Sequence, residues 1–302
     1  MLKLYKGREN VILSSDNGKI RAVDLQQFNI GEILECGQCF RFEKIEEGFY
    51  SIVAFGKTLF VKQEGKLVNF WYEDQKLDLS EFDKLWTNYF DLKRDYGNVQ
   101  AKIAKNDPIM QRAVDFASGI RLLNQDPWEM LLSFIISQNN RIPQIKQIVK
   151  NICQAYGTND AFPTPEQLRN VTAQDFRALK AGFRDKYLVD AVAHVLEGKL
   201  PIQRDETINT TTCDLRQQLL SVKGIGEKVA NCILLMGYGR YDSFPVDVWV
   251  QRVMERLYFQ GNKTSIAKIH AFATEKWGNH AAFANQYLFH YIRMNPETEN
   301  KK

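Results

Sequence analysis

The feature that most constrains this chain is a switch of hydrophobic period near residue 79. From about Val11 to Tyr72 the apolar residues tend to alternate, and turn-like groups such as Gly56-Lys57 and Glu64-Gly65-Lys66 separate residues 49–53, 59–61 and 67–70. Alternation at period two with tight punctuation predicts short antiparallel strands. Beyond Leu79, the residues Phe82, Leu85, Trp86, Tyr89 and Phe90 fall at helical spacing, and nothing from there to the C-terminus reads as strand. The chain therefore reads as α+β, an antiparallel β-rich N-terminal third followed by a long helical part. At roughly 150 residues per domain, 302 residues predict two domains. We draw the boundary at Leu122-Leu123-Asn124-Gln125-Asp126-Pro127, where Asp126 can cap a helix and Pro127 suits its first position, giving units 1–122 and 123–302.

Composition serves mainly to exclude. A hydrophobic share of 44% with only 18 Gly and 8 Pro rules out a disordered or collagen-like chain. Forty Lys and Arg against 36 Asp and Glu leave a net charge of +4, which permits a nucleic-acid partner without requiring one. The best apolar run, Met130 to Ile136, stops at Ser137, far short of the ~18 residues that span a bilayer, so no membrane partner is expected. The first residues carry charge but no apolar core or cleavage site, so no signal peptide is visible. Five cysteines, an odd number, fit a reducing compartment better than a disulfide framework. The expectation is an intracellular protein, in a bacterial cytoplasm most simply, or in a nucleus if the source is eukaryotic.

Several motifs look chemical and are better read otherwise. Cys36-Gly37-Gln38-Cys39 has the spacing of a zinc half-site, but no second pair follows, and Cys153, Cys213 and Cys232 are scattered. Gly56-Lys57-Thr58 ends like a phosphate loop, yet Ser51 stands where the earlier glycine belongs and the flanks read as a hairpin. His194, His270, His280 and His290 show no metal-ligand spacing, so no metal is expected. The stretch from Glu255 to Gly261 matches a viral-protease tag site, but it continues a helical pattern and is read as native sequence.

The informative stretch is Leu219-Leu220-Ser221-Val222-Lys223-Gly224-Ile225-Gly226-Glu227-Lys228-Val229-Ala230-Asn231-Cys232. Two helical patterns meet at Gly224-Ile225-Gly226, where glycines allow a backbone conformation and a close approach that side chains would block. Backbone N–H groups at the head of the second helix can bind a phosphate oxygen; the same residues also suit a plain helix-turn-helix joint. Lys228 falls in the first turn, where the helix dipole disfavours an extra proton and burial adds to that effect. Its amine is therefore expected to be available as a nucleophile near neutral pH. Cys232, four residues on, shares its helix face. Asp247, within Phe244-Pro245-Val246-Asp247-Val248-Trp249, suits the cap of the next helix and shows a carboxylate to the Lys228 region, as stabilising a cationic sugar requires.

With Gly224-Ile225-Gly226-Glu227-Lys228 followed by Pro245-Val246-Asp247, the chain resembles the helix-hairpin-helix DNA glycosylases, and among them the 8-oxoguanine DNA glycosylase/lyases. The resemblance extends through Gly37-Gln38-Cys39-Phe40-Arg41, Ser137-Gln138-Asn139-Asn140, Gly182-Phe183-Arg184 and Asn285-Gln286-Tyr287-Leu288-Phe289, nearly the whole chain. No cysteine follows Cys232, which excludes the iron-sulfur branch of that superfamily. The resemblance implies a TBP-like N-terminal domain and an all-α helix-hairpin-helix catalytic domain. It also implies a base excision repair enzyme that works as a monomer, without cofactor, on duplex DNA carrying 8-oxoguanine, preferably opposite cytosine.

Residue by residue, the resemblance implies that Lys228 attacks C1′ of the damaged nucleotide and forms a Schiff base from which the strand is cut by β-elimination, while Asp247 stabilises the positive charge that develops. The flipped base would lie between Cys232 and Phe289. The Gly37 carbonyl would accept from N7–H, which 8-oxoguanine has and guanine lacks. Either Asn285, four residues before Phe289, or Gln286, three before it, would read the Watson–Crick edge, since both offsets share its helix face. On the opposite strand, Asn139 would fill the gap, Phe183 would wedge and Arg184 would read the orphaned cytosine. Gly224 and Gly226 would hold phosphate. Trp249 stands near the backbone phosphate where many members have a histidine, and Gln144 stands where many have a second arginine, which weakens the preference for cytosine. Two alternatives stay open: a glycosylase of this fold for another damaged purine, and a non-catalytic protein that grips DNA through the hairpin.

Overall fold

A computed structural model describes residues 2–6, 10–159 and 161–295. Its N-terminal part is a seven-stranded antiparallel sheet of β1 (Leu2–Lys6), β2 (Asn10–Asp16), β3 (Lys19–Val23), β4 (Phe42–Glu46), β5 (Phe49–Ala54), β6 (Lys57–Glu64) and β7 (Leu67–Trp71). The spatial order is β1-β2-β3-β7-β6-β5-β4. The alternation seen in the sequence becomes a buried face: Tyr50 lies across from Val61, Ile52 from Leu59, and Val61 from Phe70. Phe55 and Gly56, both at positive φ, close the β5–β6 hairpin, so Gly56-Lys57-Thr58 is a turn and the start of a strand. One departure is α1 (Ile30–Glu35), a short helix inside the stretch read as strands. Asn29 caps it by accepting from the Gly31 and Glu32 N–H groups, and Ile30, Ile33 and Leu34 bury in the sheet core. Six residues are too few for a helical period to register.

Among the described residues no strand follows Trp71. The short helices α2 (Leu79–Glu81) and α3 (Thr87–Tyr89) flank Phe82 and Trp86, which bury with Tyr89 and Phe90 in the sheet core. A second core is built by α4 (Tyr96–Ile103), α5 (Pro108–Phe116), α6 (Pro127–Ser137), α7 (Ile142–Tyr156), α8 (Ala173–Ala178), α9 (Asp185–Leu196), α10 (Thr212–Ser221), α11 (Glu227–Met236), α12 (Val248–Tyr258), α13 (Ile266–Trp277) and α14 (Ala281–Met294). Asp126 caps α6 by accepting from the Glu129 N–H, with Pro127 in first position. The two cores nevertheless do not divide at 122/123. The apolar faces of α4 and α5 pack on α14, so residues 96–122 join the helical core although they precede the expected boundary. That assignment comes from contacts with the C-terminal helix, which local periodicity cannot report.

The cores meet in the segment after α1, where Cys36 and Phe40 enter the helical core and Cys39 the sheet core. Gln38, fully buried there, donates to the Ile33 and Arg121 carbonyls and accepts from the Leu123 N–H. Nearby, Arg41 pairs with Glu129 at 3.3 Å. Burial pushes the Glu129 carboxyl up from 4.5 to about 7, with Arg41 opposing. A raised carboxyl stabilises the fold fully only below its unfolded value, and that stabilisation is lost as pH rises through the folded value. Glu129→Gln is therefore expected to gain stability relative to the parent from about pH 5 to about pH 8, by up to about 3 kcal/mol. Urea midpoints across that range measure the difference, and parallel pH profiles for the two proteins would contradict it.

Candidate active site

The hairpin joins α10 to α11. Thr211 caps α10 by accepting from the Asp214 N–H, and Asp190 on α9 holds the Lys223 N–H at 2.7 Å. Gly224 has φ +83°, a conformation that side chains disfavour, and a Cβ there would lie 2.4 Å from the Tyr187 ring. Gly226 serves differently. Its backbone is extended, nothing lies within 4 Å of where its Cβ would stand, and α11 starts from it without a side-chain cap. The first-turn N–H groups of α11 thus lack a side-chain partner beside open space, which suits a phosphate oxygen.

Lys228 is half-buried in that first turn, with its Nζ 5.9 Å from the Phe134 ring centroid. Its ammonium is held above the usual lysine value: the Cys232 sulfur favours the charged form most, burial opposes it, and Asp247 adds to the rise. The direction is thus opposite to the lowering expected, because Cys232 and Asp247 together outweigh burial. Burial in turn pushes the Cys232 thiol up, with Lys228 opposing. The charged form of Lys228 is thus favoured over the free amine.

Asp247 caps α12, its Oδ1 accepting from the Val250 N–H at 2.7 Å, as the sequence predicts. The loop that carries it is anchored two residues earlier, where Asn285 on α14 donates to the Pro245 carbonyl at 2.8 Å. The next residue, Gln286, donates to the Cys36 carbonyl at 2.9 Å. Gly37 follows with φ +86°, and where its Cβ would stand the Phe289 ring is 3.4 Å away. One helix thus touches both the loop of the carboxylate and the loop of Gly37. Neither amide is without a protein partner, and their oxygens decide what either offers a base.

The opposite-strand candidates cluster at the end of α6. Asn139 adopts φ +47°, and the buried Arg184 donates to the Gln138, Asn139 and Ala181 carbonyls. In the free protein this guanidinium shapes the Asn139 turn. Phe183 beside it is 52% exposed, and its ring lies 4.4 Å from the Arg184 guanidinium. Trp249 is equally exposed in the first turn of α12, and Gln144 is exposed on α7. The Cys36 and Cys39 thiols are buried, and burial pushes Cys36 up to about 12. Among the described residues no group of three His, Cys, Asp or Glu is placed to hold a metal, and no helix is long and apolar enough to cross a membrane.

Sequence reasoning missed the buried polar groups that hold these parts together. Besides Gln38, the guanidinium of Arg121 donates to the Gln26, Gln27 and Asp91 carbonyls, and that of Arg204 joins Asn124 to the Gly237 carbonyl at the end of α11. Nothing in the local pattern marks an arginine as buried; only the Gln38 of the Gly-Gln-Cys-Phe-Arg motif carried a hint.

Two family models match this chain: the 8-oxoguanine DNA glycosylase N-terminal domain over residues 21–131 and the HhH-GPD superfamily base excision DNA repair protein over 132–279. The chain is similar to the N-glycosylase/DNA lyase of Saccharomyces cerevisiae, with 29% identity covering 90% of this chain and 85% of the relative. Among solved structures, the Clostridium acetobutylicum 8-oxoguanine glycosylase/lyase in complex with double-stranded DNA containing cytosine opposite 8-oxoguanine superposes with TM-score 0.88 at 38% identity, over 94% of this chain and 98% of that one. MBOgg1 in complex with a low-affinity DNA ligand superposes with TM-score 0.89 at 36% identity, over 95% and 100%.

Proposed function

This chain belongs to the 8-oxoguanine DNA glycosylases of the HhH-GPD base excision repair superfamily, and on that premise we propose that it excises 8-oxoguanine from duplex DNA and cleaves the resulting abasic strand. The observation that carries this reading is the grouping of Lys228, Cys232 and Asp247 at the head of a hairpin whose first-turn N–H groups lie open to phosphate. Deprotonated Lys228 attacks C1′ of the flipped nucleotide, the C1′–N9 bond breaks, and the base leaves with the electron pair and takes up a proton. Positive charge on the sugar is greatest as that bond breaks, and the Asp247 carboxylate stabilises it. The aminal opens to a Schiff base; loss of a 2′ proton then expels the 3′ phosphate by β-elimination. The protein supplies the nucleophile itself, so no cofactor takes part. The enzyme acts as a single chain on DNA inside the cell.

Cys232 and Phe289 bracket the base, Gly37 accepts its N7–H, and a side-chain amide from Asn285 or Gln286 meets its Watson–Crick edge. Asn139, Phe183 and Arg184 serve the opposite strand, while Gly224, Gly226 and Trp249 lie along the phosphates. The direct test is borohydride trapping on a duplex with one 8-oxoguanine opposite cytosine. A covalent adduct that requires the lesion supports the reading, and tight lesion binding with neither adduct nor released base would reduce the protein to a binding module.

Gln144 carries a narrower prediction. A bidentate arginine contact to a base is worth roughly 1–3 kcal/mol of discrimination, and a glutamine at this exposed position of α7 gives that up. Excision opposite cytosine is expected to exceed excision opposite A, G or T only modestly, and Gln144→Arg to sharpen the preference about tenfold. A strict requirement for cytosine in the parent would contradict this.

A further inference from the structure

We infer that Gln286 and Arg293 are positioning residues that aim the Gly37 carbonyl and so set the discrimination between 8-oxoguanine and guanine; the inference rests on the 8-oxoguanine reading above. Three residues on one face of α14 grip the segment that follows α1. Gln286 Nε2 donates to the Cys36 carbonyl at 2.9 Å. Two turns on, Arg293 Nη1 donates to the Glu35 carbonyl at 3.3 Å and stands 3.3 Å from where a Cβ of Gly37 would be. Phe289, between them, brings its ring to 3.4 Å from the same point. These spacings of three and seven residues keep the side chains on one helix face.

The other side of the segment is held equally firmly. Gln38 reaches the Ile33 and Arg121 carbonyls, and Gln125 donates to the Gln38 carbonyl at 2.7 Å. Gly37 thus lies between carbonyls fixed by α14 and a side chain fixed in the core, which leaves its own carbonyl one direction. Direction is what the contact needs. A carbonyl aimed at N7 attracts the N–H of 8-oxoguanine and repels the lone pair of guanine, whereas a carbonyl free to swing away does neither well. Gln286 Nε2 stays on the Cys36 carbonyl and Asn285 Nδ2 on that of Pro245, so an amide oxygen is what either residue has left for the Watson–Crick edge.

The test uses the full chain carrying Lys228→Gln, so that binding is measured without turnover. Three duplexes are compared, with 8-oxoguanine, guanine, or a 7-deaza analogue of 8-oxoguanine that has carbon in place of N7 and hence no N7–H, each opposite cytosine. Adding Arg293→Ala or Gln286→Ala is expected to weaken binding of the 8-oxoguanine duplex about tenfold and to leave binding of the analogue within about twofold. Equal losses on both lesions would mean that these side chains read the base edge directly, and no loss on either would mean that they do not act on recognition; both results overturn the inference. A parent that binds 8-oxoguanine and guanine alike overturns the 8-oxoguanine reading itself. Arg293→Ala with Lys228 intact should still cleave a preformed abasic duplex at the parental rate, which separates loss of aim from loss of fold.

Discussion

Lys228→Gln is expected to give no borohydride adduct and to lower single-turnover excision of 8-oxoguanine by about a thousandfold or more, while the lesion duplex is still bound. Glutamine keeps much of the side-chain volume, but its amide nitrogen has no lone pair available for C1′. The fold should tolerate the change, since it removes a half-buried charge from beside a buried thiol. A second signature follows from the protonation state. Because Cys232 and Asp247 hold the ammonium above the usual lysine value, the free amine is scarce at neutral pH and its fraction grows about tenfold per pH unit. Parental excision under single-turnover conditions is thus expected to climb with pH well past neutrality. Full-rate excision by the glutamine variant would remove Lys228 from the reaction, and a flat pH profile would mean that another step limits the rate.

Asp247→Asn is expected to lower excision by about 10²–10³-fold with little change in stability. The reason lies in the two roles of one carboxylate. As the N-cap of α12 it accepts from the Val250 N–H, and an asparagine carbonyl oxygen accepts that bond as well. On the proposed mechanism its charge stabilises the cationic sugar, which a neutral amide does far less. Asp247→Ala removes both and is expected to cost about 1 kcal/mol of stability in addition. Cleavage of a preformed abasic strand, which has no base to expel, should fall less than excision in either variant. Equal excision by the parent and Asp247→Asn would assign this residue to the cap alone.

Where the candidate site residues stand was legible in the sequence because the signals that place them are local. Gly224-Ile225-Gly226 before a helix, Lys228 in its first turn, Cys232 one turn on and Asp247 before another apolar period are all defined by spacing along a few turns of chain, and each stands on the element that spacing predicts. The same holds for the strands, whose alternation is the imprint of one buried face. Helix α1 escaped because six residues do not complete a pattern, and the packing of residues 96–122 in the helical core escaped because it is made with the distant α14.

Sequence by itself determined the strands and longer helices, where the hairpin turns and which side chains of reactive type stand near it, since period, caps and glycine conformations are properties of neighbours in the chain. Tertiary structure alone decided how those side chains behave. The Lys228 ammonium is raised, not lowered, because the nearby Cys232 sulfur, with Asp247 adding to it, outweighs burial. The Arg184 guanidinium is bound to a turn 46 residues away. Gln286 holds Cys36 across 250 residues. Protonation and aim depend on distances through space, which fall off within a few ångströms and which no spacing along the chain records.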